Sequence, residues 1–482
     1  MRKLLIAIVT TLFVLLLLTV AFVVAANWRD SPLSDDARAV LDAEPAKELP
    51  GIANGFPIIA GLDAPLEGDP VEAARQLGKQ RLQREIERKQ WFDQEGFKAD
   101  ATKAPAPVEP PASVKVQQIL PDGLRCKTDV DAPINCHDWY VEHASQLQAV
   151  IAAQQPMLQR FAAAADAPQF QSESPVYFWH LLPPYQVLMR TQELQLARSS
   201  LLWHSGQQEQ ALSEAMRGDR VTHGLGDGTT QLVSSMIALA MQYRMQRWLA
   251  DLMATDTPPH SPKAYELAKA LVQIPPPSLH SGLVGETQFQ VRMMQLIGKD
   301  DSEWRSILNE ATQDRPAWRA ALESAWVRMT YLPNESLNQQ VKWWQLYLPT
   351  TLVPAHEYDA ALKAFEQREK ELSEQRSRWF GVRNFAGNVL ADIGKPNFST
   401  YIQRRFDVDA HRRMVLLMLQ AKEQNIPADK MPTWLAQSPE NLRNPYTLEP
   451  MQWDALSHSL VFEGRESQNQ NPGRSKTYHV KF

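Results

Sequence analysis

Hydrophobic and polar positions follow several distinct rhythms along this chain, and each rhythm predicts an element. From Leu4 to Ala26 nothing alternates: the stretch is uncharged and dominated by Leu, Val, Ile, Phe and Ala, with Thr10, Thr11 and Thr19 as its only polar residues. A helix of that length reaches roughly 35 Å, enough to cross a hydrocarbon core of about 30 Å with modest tilt. It can satisfy the threonine hydroxyls against its own carbonyls. Residues 27–70 are rich in Pro, Gly and acidic side chains, and their apolar patch at Phe56, Ile58 and Ile59 predicts an extended segment laid on a folded domain. A helix follows from about Val71 to Phe92, within a segment ending at 95, where Lys and Arg alternate with Glu at i,i+4 spacings. Residues 96–121 contain KADATKAPAPVEPPAS, the composition of an extended, polyproline-like connector.

A helical period governs residues 122–440. Asp138 is placed to cap a helix running to about Ala165, with Tyr140, Leu147, Val150, Ile151 and Leu158 on one face. Pro183-Pro184 opens a second helix through Leu188, Leu194, Leu201 and Leu202, ending near Gly206, and a third carries Ala211, Leu212 and Met216. The Gly224–Gly228 stretch predicts a turn before an apolar helix from Thr229 to Met253. Further helices are expected at about 262–273, 283–298, 302–330, 335–347, 354–378 and 398–424. LARSSLLWHSGQQEQALSEAMR resembles a tetratricopeptide-type helix–turn–helix, but no 34-residue period recurs, so the pattern predicts an irregular array of helix pairs. In residues 441–482 the rhythm changes to alternation around Met451, Trp453, Leu460 and Phe462, which predicts a β-hairpin. Tyr478, Val480 and Phe482 offer a further strand. The fold class is therefore mainly α, with a small C-terminal β element and one membrane helix in front.

Charge places the chain. Arg2 and Lys3 precede the apolar run, while Asp30, Asp35 and Asp36 follow it, with Trp28 where an interfacial aromatic belongs. By the positive-inside rule the N-terminus stays in the cytoplasm and everything after Ala26 is translocated, which in a bacterium means the periplasm. Val24-Ala25-Ala26 also suits a signal-peptidase site, but the run is much longer than the 7–15 residues of a usual signal core. A retained anchor is the expectation, and both readings export the domain. The net charge of −5, with acidic and basic residues interleaved, is a poor match for nucleic acid.

Candidate chemistry is sparse. Only Cys126 and Cys136 are present, ten positions apart. In an oxidising compartment their simplest state is a disulfide, worth about 2–3 kcal/mol for so small a loop. Their alternative use with His137 as metal ligands lacks a fourth ligand and matches no common zinc spacing. GLGDGTT precedes a helix but has neither a P-loop lysine nor a preceding strand, so a helix end explains it better than a phosphate cradle. The 11 histidines form no HExxH pair; His137 and His143 are misplaced for one helical face, while His180, His204 and His223 could meet only through the fold. There is no GxSxG elbow, and the carboxylates around Glu366–Glu371 belong to a solvated helix face. Among the 14 Trp residues, Trp179, Trp203, Trp343, Trp344 and Trp379 are candidates for a glycan or peptide groove, with core and interfacial packing the expected role. No cofactor and no metal is expected.

Three segments, NGFPIIAGLDAPLEGDP, NFAGNVLADIGKPNFSTYIQRRFDVDAHRR and NIPADKMPTWLAQSPENLRNPYTLEPMQWD, resemble a family of proteobacterial envelope proteins with one N-terminal membrane helix. That family brings no known activity, so the resemblance implies location and architecture alone. The last segment is also similar, over a short stretch, to the C-terminal region of type II secretion pseudopilins, whose Gly–Phe/Glu processing signature is missing here. The reading is a membrane-anchored envelope scaffold or assembly factor with protein partners. The alternative is an envelope-glycan hydrolase using paired carboxylates.

Topology is directly testable. A reporter fused to the N-terminus should remain cytoplasmic and one fused to the C-terminus should be exported. A mature protein beginning at Asn27 would contradict the anchor and leave export intact.

Overall fold

A computed structural model describes residues 2–95, 101–110, 113–126, 134–177, 180–255, 261–299, 317–376, 381–393, 395, 397–466 and 476–482. The protein is mainly helical, with nineteen α-helices among the described residues and one three-stranded antiparallel sheet. The first helix, α1 (Arg2–Ala26), is long and apolar enough to cross a membrane. Thr11 and Thr19 donate to the carbonyls of Ala7 and Leu15 at 2.8 and 2.9 Å, as a helix in a solvent without water requires. Its side chains are exposed from Leu4 to Phe22, but Val23 and Ala26 in the last turn are buried against the rest of the chain.

The segment after α1 lies on the domain. Ser34 accepts from the Ala37 amide at 3.1 Å and caps α2 (Asp35–Asp42). α2 buries Ala37 against α13 (His280–Lys299) and α15 (Pro333–Tyr347), among Val291, Met294, Leu337 and Val341. Phe56, Ile58 and Ile59 form α3 (Phe56–Ala60), which is wholly buried against α4 (Pro70–Glu95). The two backbones touch: a Cβ on Gly61 would fall 2.0 Å from the Ala74 carbonyl oxygen, and one on Gly78 would fall 1.7 Å from that of Pro57. Only glycine fits these two positions. The turn between α3 and α4 is held from within by Arg160, which has no exposed surface and donates to the carbonyls of Leu62, Ala64, Pro65 and Pro70.

Two large hydrophobic clusters share a spine. The helix α5 (Val116–Ile119), α6 (Cys136–Glu142), α7 (Ala144–Ala153) and α8 (Gln155–Ala165) pack with α3 and α4 on one side. The expected single helix from Asp138 to Ala165 is thus three, broken at His143 and Gln154, with Pro156 at the start of α8. Asn135, not Asp138, caps the first, accepting from the Asp138 amide at 3.1 Å. The spine is α9 (Tyr185–His204), α10 (Gln208–Asp227) and α11 (Leu232–Met253). Gly206, at φ +83°, makes the α9–α10 turn. α10 runs through Gly224 instead of turning there, because Gly224 is where the helix meets the Phe170 ring: a Cβ would lie 2.6 Å from it.

Beyond the spine lie α12 (Pro262–Leu271), α13, α14 (Ala317–Thr330), α15, α16 (Ala355–Arg376), α17 (Phe385–Ile393), α18 (Ser399–Glu423) and α19 (Met431–Ala436). The first part of the helix expected at 302–330 falls outside the described residues, and α17 was not anticipated. The C-terminal alternation gives β1 (Gln452–Asp454), β2 (Ser459–Glu463) and β3 (Thr477–Lys481), in that order, so the expected hairpin gains its third strand. Trp453 pairs with Leu460, and Leu460 with Val480. Leu460, Phe462, Tyr478 and Val480 turn inward, with β2 and β3 packed on α18 and β3 also on α11.

Arg160 gives a stability prediction. Arg160→Met keeps an unbranched stem but leaves four inward-facing carbonyls without their donor. The urea midpoint should fall by the equivalent of about 3–5 kcal/mol with an unchanged m value. A cost under about 1 kcal/mol would show that the turn does not depend on this side chain.

Candidate functional site

One polar side-chain cluster that also borders a cavity sits where α4, the irregular residues 170–177 and 180–184 and the start of α11 meet. Glu85 and Arg88 lie one turn apart on the buried face of α4. Residues 170–177 and 180–184 contribute Ser174, Tyr177 and His180, and Gln231 is the N-cap of α11. The Glu85 carboxylate accepts from the Tyr177 hydroxyl at 2.7 Å and from the Leu181 amide at 3.0 Å, with Arg88 Nε 3.6 Å away. Burial pushes its pKa up, and these donors only partly offset that.

His180 completes the cluster. Its Nδ1 lies 3.3 Å from both Ser174 Oγ and Glu85 Oε2, and its Nε2 meets the Gln231 side-chain amide. With Nε2 accepting from that amide, the ring proton is on Nδ1, facing the carboxylate and the hydroxyl. Burial holds the imidazole pKa down to about 4; a hydrogen bond to the Pro175 carbonyl opposes this and the Arg88 charge adds to it, so the ring is neutral at pH 7. A serine nucleophile needs an unprotonated imidazole nitrogen within reach. In this tautomer Ser174 and Glu85 share the nitrogen that carries the proton, which is not the arrangement that activates a serine.

Two cavities flank this cluster. One, of about 320 Å³, is lined by Phe56, Asp63, Arg81, Glu85, His180 and Gln231, among others. The other, of about 200 Å³, shares His180, Leu182 and Gln231 and adds Tyr177, Glu286 and Phe289. A glycosidase pair would need two carboxylates free to face one bond. In the first cavity Asp63 is already held by the two terminal nitrogens of Arg81, at 2.5 and 3.0 Å, and Glu109 is exposed. Glu286, whose pKa burial raises, lines only the second cavity.

A third cavity, also about 320 Å³, lies beside the cysteines, with Arg125, Glu193, Arg244 and Arg247 in its wall. Cys126 and Cys136 stand at disulfide distance, their Cα atoms 5.4 Å apart. The three guanidiniums are engaged: Arg125 with Glu193 at 3.0 Å, Arg244 with the Met189 carbonyl and Gln192, and Arg247 with the Ile134 carbonyl. His137, next to Cys136, is buried, which lowers its pKa to about 4, with the His204 charge adding to the effect. Among the described residues no three His, Cys, Asp or Glu side chains are grouped to hold a metal.

The remaining candidates disperse. His180, His204 and His223 have different neighbours: His204 lies near His137, while His223 links Asp219 to the Pro275 carbonyl at 3.2 Å. Burial alone would lower the His223 pKa, but the Asp219 side chain lifts it to about 9. GLGDGTT is a packed helix end: a Cβ on Gly228 would lie 1.7 Å from the Phe170 carbonyl oxygen, and Thr229 donates to the Leu225 carbonyl. Trp203 and Trp344 are core residues, and Trp343 is buried with its indole donating to Glu369 at 3.1 Å. Trp179 and Trp379 lie outside the described residues. Sequence reasoning missed Glu85 and Tyr177, whose partnership spans 92 positions and leaves no local signal.

The histidines predict opposite pH limbs. His180 has a folded pKa below the ordinary 6.5, so its contribution to stability is complete above pH 6.5 and lost on acidification towards 4. His223 has a raised pKa, so its contribution is complete below 6.5 and lost as pH rises through about 9. His180→Gln should therefore flatten the stability profile between pH 6.5 and 4, and His223→Gln between 6.5 and 9. Parallel profiles for wild type and variant would remove these assignments.

The chain matches no family model, no curated protein and no solved structure, so its function must be argued from its own geometry.

Proposed function

We propose that this is a membrane-anchored, non-enzymatic scaffold or assembly factor of the cell envelope, with its helical domain on the periplasmic side. The observation that carries the reading is how the domain is joined to α1. Arg383 donates to the Ala26 carbonyl at 2.8 Å and pairs with Glu335 at 2.5 Å. Asn27 donates to the Val382 carbonyl at 3.1 Å and accepts from the Asn384 amide at 2.8 Å. A catalyst that must reach dispersed substrate gains little from such a fixed seat, whereas a platform that presents helix surfaces to membrane partners depends on it. The cluster at Glu85 adds no activated nucleophile and no free acid pair.

The glycan-hydrolase reading draws on one feature, the desolvated Glu85 beside a cavity, since a raised carboxyl pKa suits a general acid. The two readings separate in one pair of measurements. Photo-crosslinking of the full-length protein in cells should recover the same envelope protein in replicate experiments, and Glu85→Gln should leave that product unchanged. A protein recovered alone, together with a purified form that cleaves envelope glycan and loses the activity on Glu85→Gln, would overturn the scaffold.

A further inference from the structure

α14 is amphipathic in an unusual sense: one face is covered by the protein, and the opposite face is apolar and bare. Val327 and Thr330 face inward at 9% and 0% exposure, with Val327 packing beside Ile297, Tyr331 and Ala386. Trp318, Leu322, Trp326 and Met329 recur at the helical spacing on the other side, Trp318 at 66% and Leu322 at 62% exposure. α17 continues this surface. Phe385 and Val389, one turn apart, are both exposed, and the Phe385 ring meets the Trp326 ring edge-on with centroids 6.2 Å apart. Arg319 and Arg328, both exposed, fall on either flank of the α14 stripe. Large apolar side chains clustered this way on a folded protein mark a surface that meets something apolar.

Position identifies what it meets. α14 packs against α1, whose Val23 and Ala26 are buried where the domain begins. Leu4 to Phe22, the exposed part of α1, spans roughly 27 Å at 1.5 Å per residue. That nearly consumes a hydrocarbon core of about 30 Å, so the contact between domain and α1 falls at the far boundary of the bilayer. Trp28, 74% exposed just past the end of α1, is at the same level. Aromatic side chains at this depth have the composition of an interfacial helix, with their rings among the headgroups.

We propose that the exposed faces of α14 and α17 are a second membrane contact. They dock in the plane of the interface of the bilayer that α1 spans, with Trp318, Leu322, Trp326, Phe385 and Val389 at the acyl boundary. This rests on α1 being a retained anchor. The two contacts together make a two-point attachment that holds the domain against the membrane surface.

The test uses the full-length chain in phosphatidylcholine–phosphatidylglycerol vesicles, with an environment-sensitive fluorophore on Leu322→Cys, Val389→Cys or Trp318→Cys. Lys363→Cys, at an exposed position of α16, is the solvent control, and Leu16→Cys in α1 reports the anchor. The labels at 322, 389 and 318 as well as 16 should be blue-shifted in the vesicles and quenched by nitroxide lipids, with 363 showing neither effect. Quenching at 16 without quenching at the other three would overturn the docking and leave the anchor standing. A blue shift at 322, 389 and 318 without lipid quenching would mean that protein covers the face, and would also overturn it. Absence of quenching at 16 as well would remove both. All three labelled domain positions are exposed, so a variant that loses helical circular dichroism is replaced by its neighbour in the same stripe.

Discussion

The structure depends on how the end of α1 is tied into residues more than 300 positions away. Asp30 supplies the cap that α15 lacks, its carboxylate accepting from the amides of Asn334 at 2.7 Å and Glu335 at 3.0 Å. An anion at a helix N-terminus satisfies orphan donors and meets the positive end of the helix dipole. The guanidinium of Arg383 does the converse at the C-terminal end of α1. Between them sits Asn384, fully buried at φ +50°, a backbone state that Asn tolerates better than most residues. Its side chain accepts from the Leu332 amide at 2.8 Å and bonds Ser336, while its own amide reaches Asn27. The tie combines charge-assisted bonds from Asp30 and Arg383 with neutral amide bonds at Asn27 and Asn384, all of them partly or fully buried, which hold geometry better than exposed ion pairs do.

This junction accounts for where the apolar surface is spent. Seven tryptophans fall into two groups: Trp203, Trp248, Trp343 and Trp344 fill the core, whereas Trp28, Trp318 and Trp326 are exposed at the end of the domain nearest α1. Polar groups are used the same way. Arg160, Glu85 and Asn384 each tie distant segments together from inside, and their hydrogen bonds go to backbone and side chains of the protein itself. These three polar groups therefore serve the positioning of segments.

Much of the fold was legible because it follows from local periodicity. The apolar run gives α1, the 3.6-residue period gives most of the helices, and two-residue alternation gives the strands around Leu460 and Val480. The misreadings have physical causes. Pro156 signalled the break before α8, but the apolar stripe continues across it and masks it. Gly224 and Gly228 looked like a turn because glycine is flexible, when in fact they are glycine because Phe170 lies against them. α17 has nine residues, too few for a period to stand out. The Glu85 cluster and the clasp at Asn27 were beyond reach, since each joins residues from remote parts of the chain whose local sequence contains nothing distinctive. The bare face of α14 was hidden for another reason: the helix is apolar on two sides, and only the fold shows which side the core covers.

The central claim is that the domain is seated rigidly on α1. Pulsed electron–electron spin resonance in nanodiscs tests it most directly, with spin labels at Leu16→Cys in α1 and Lys363→Cys in the domain. A rigid seat predicts one narrow distance distribution, no broader than that of a pair within the domain at Gln207→Cys and Lys363→Cys. A broad distribution for the α1 pair beside a narrow one for the domain pair would show a domain swinging on a flexible tether, and would contradict the account.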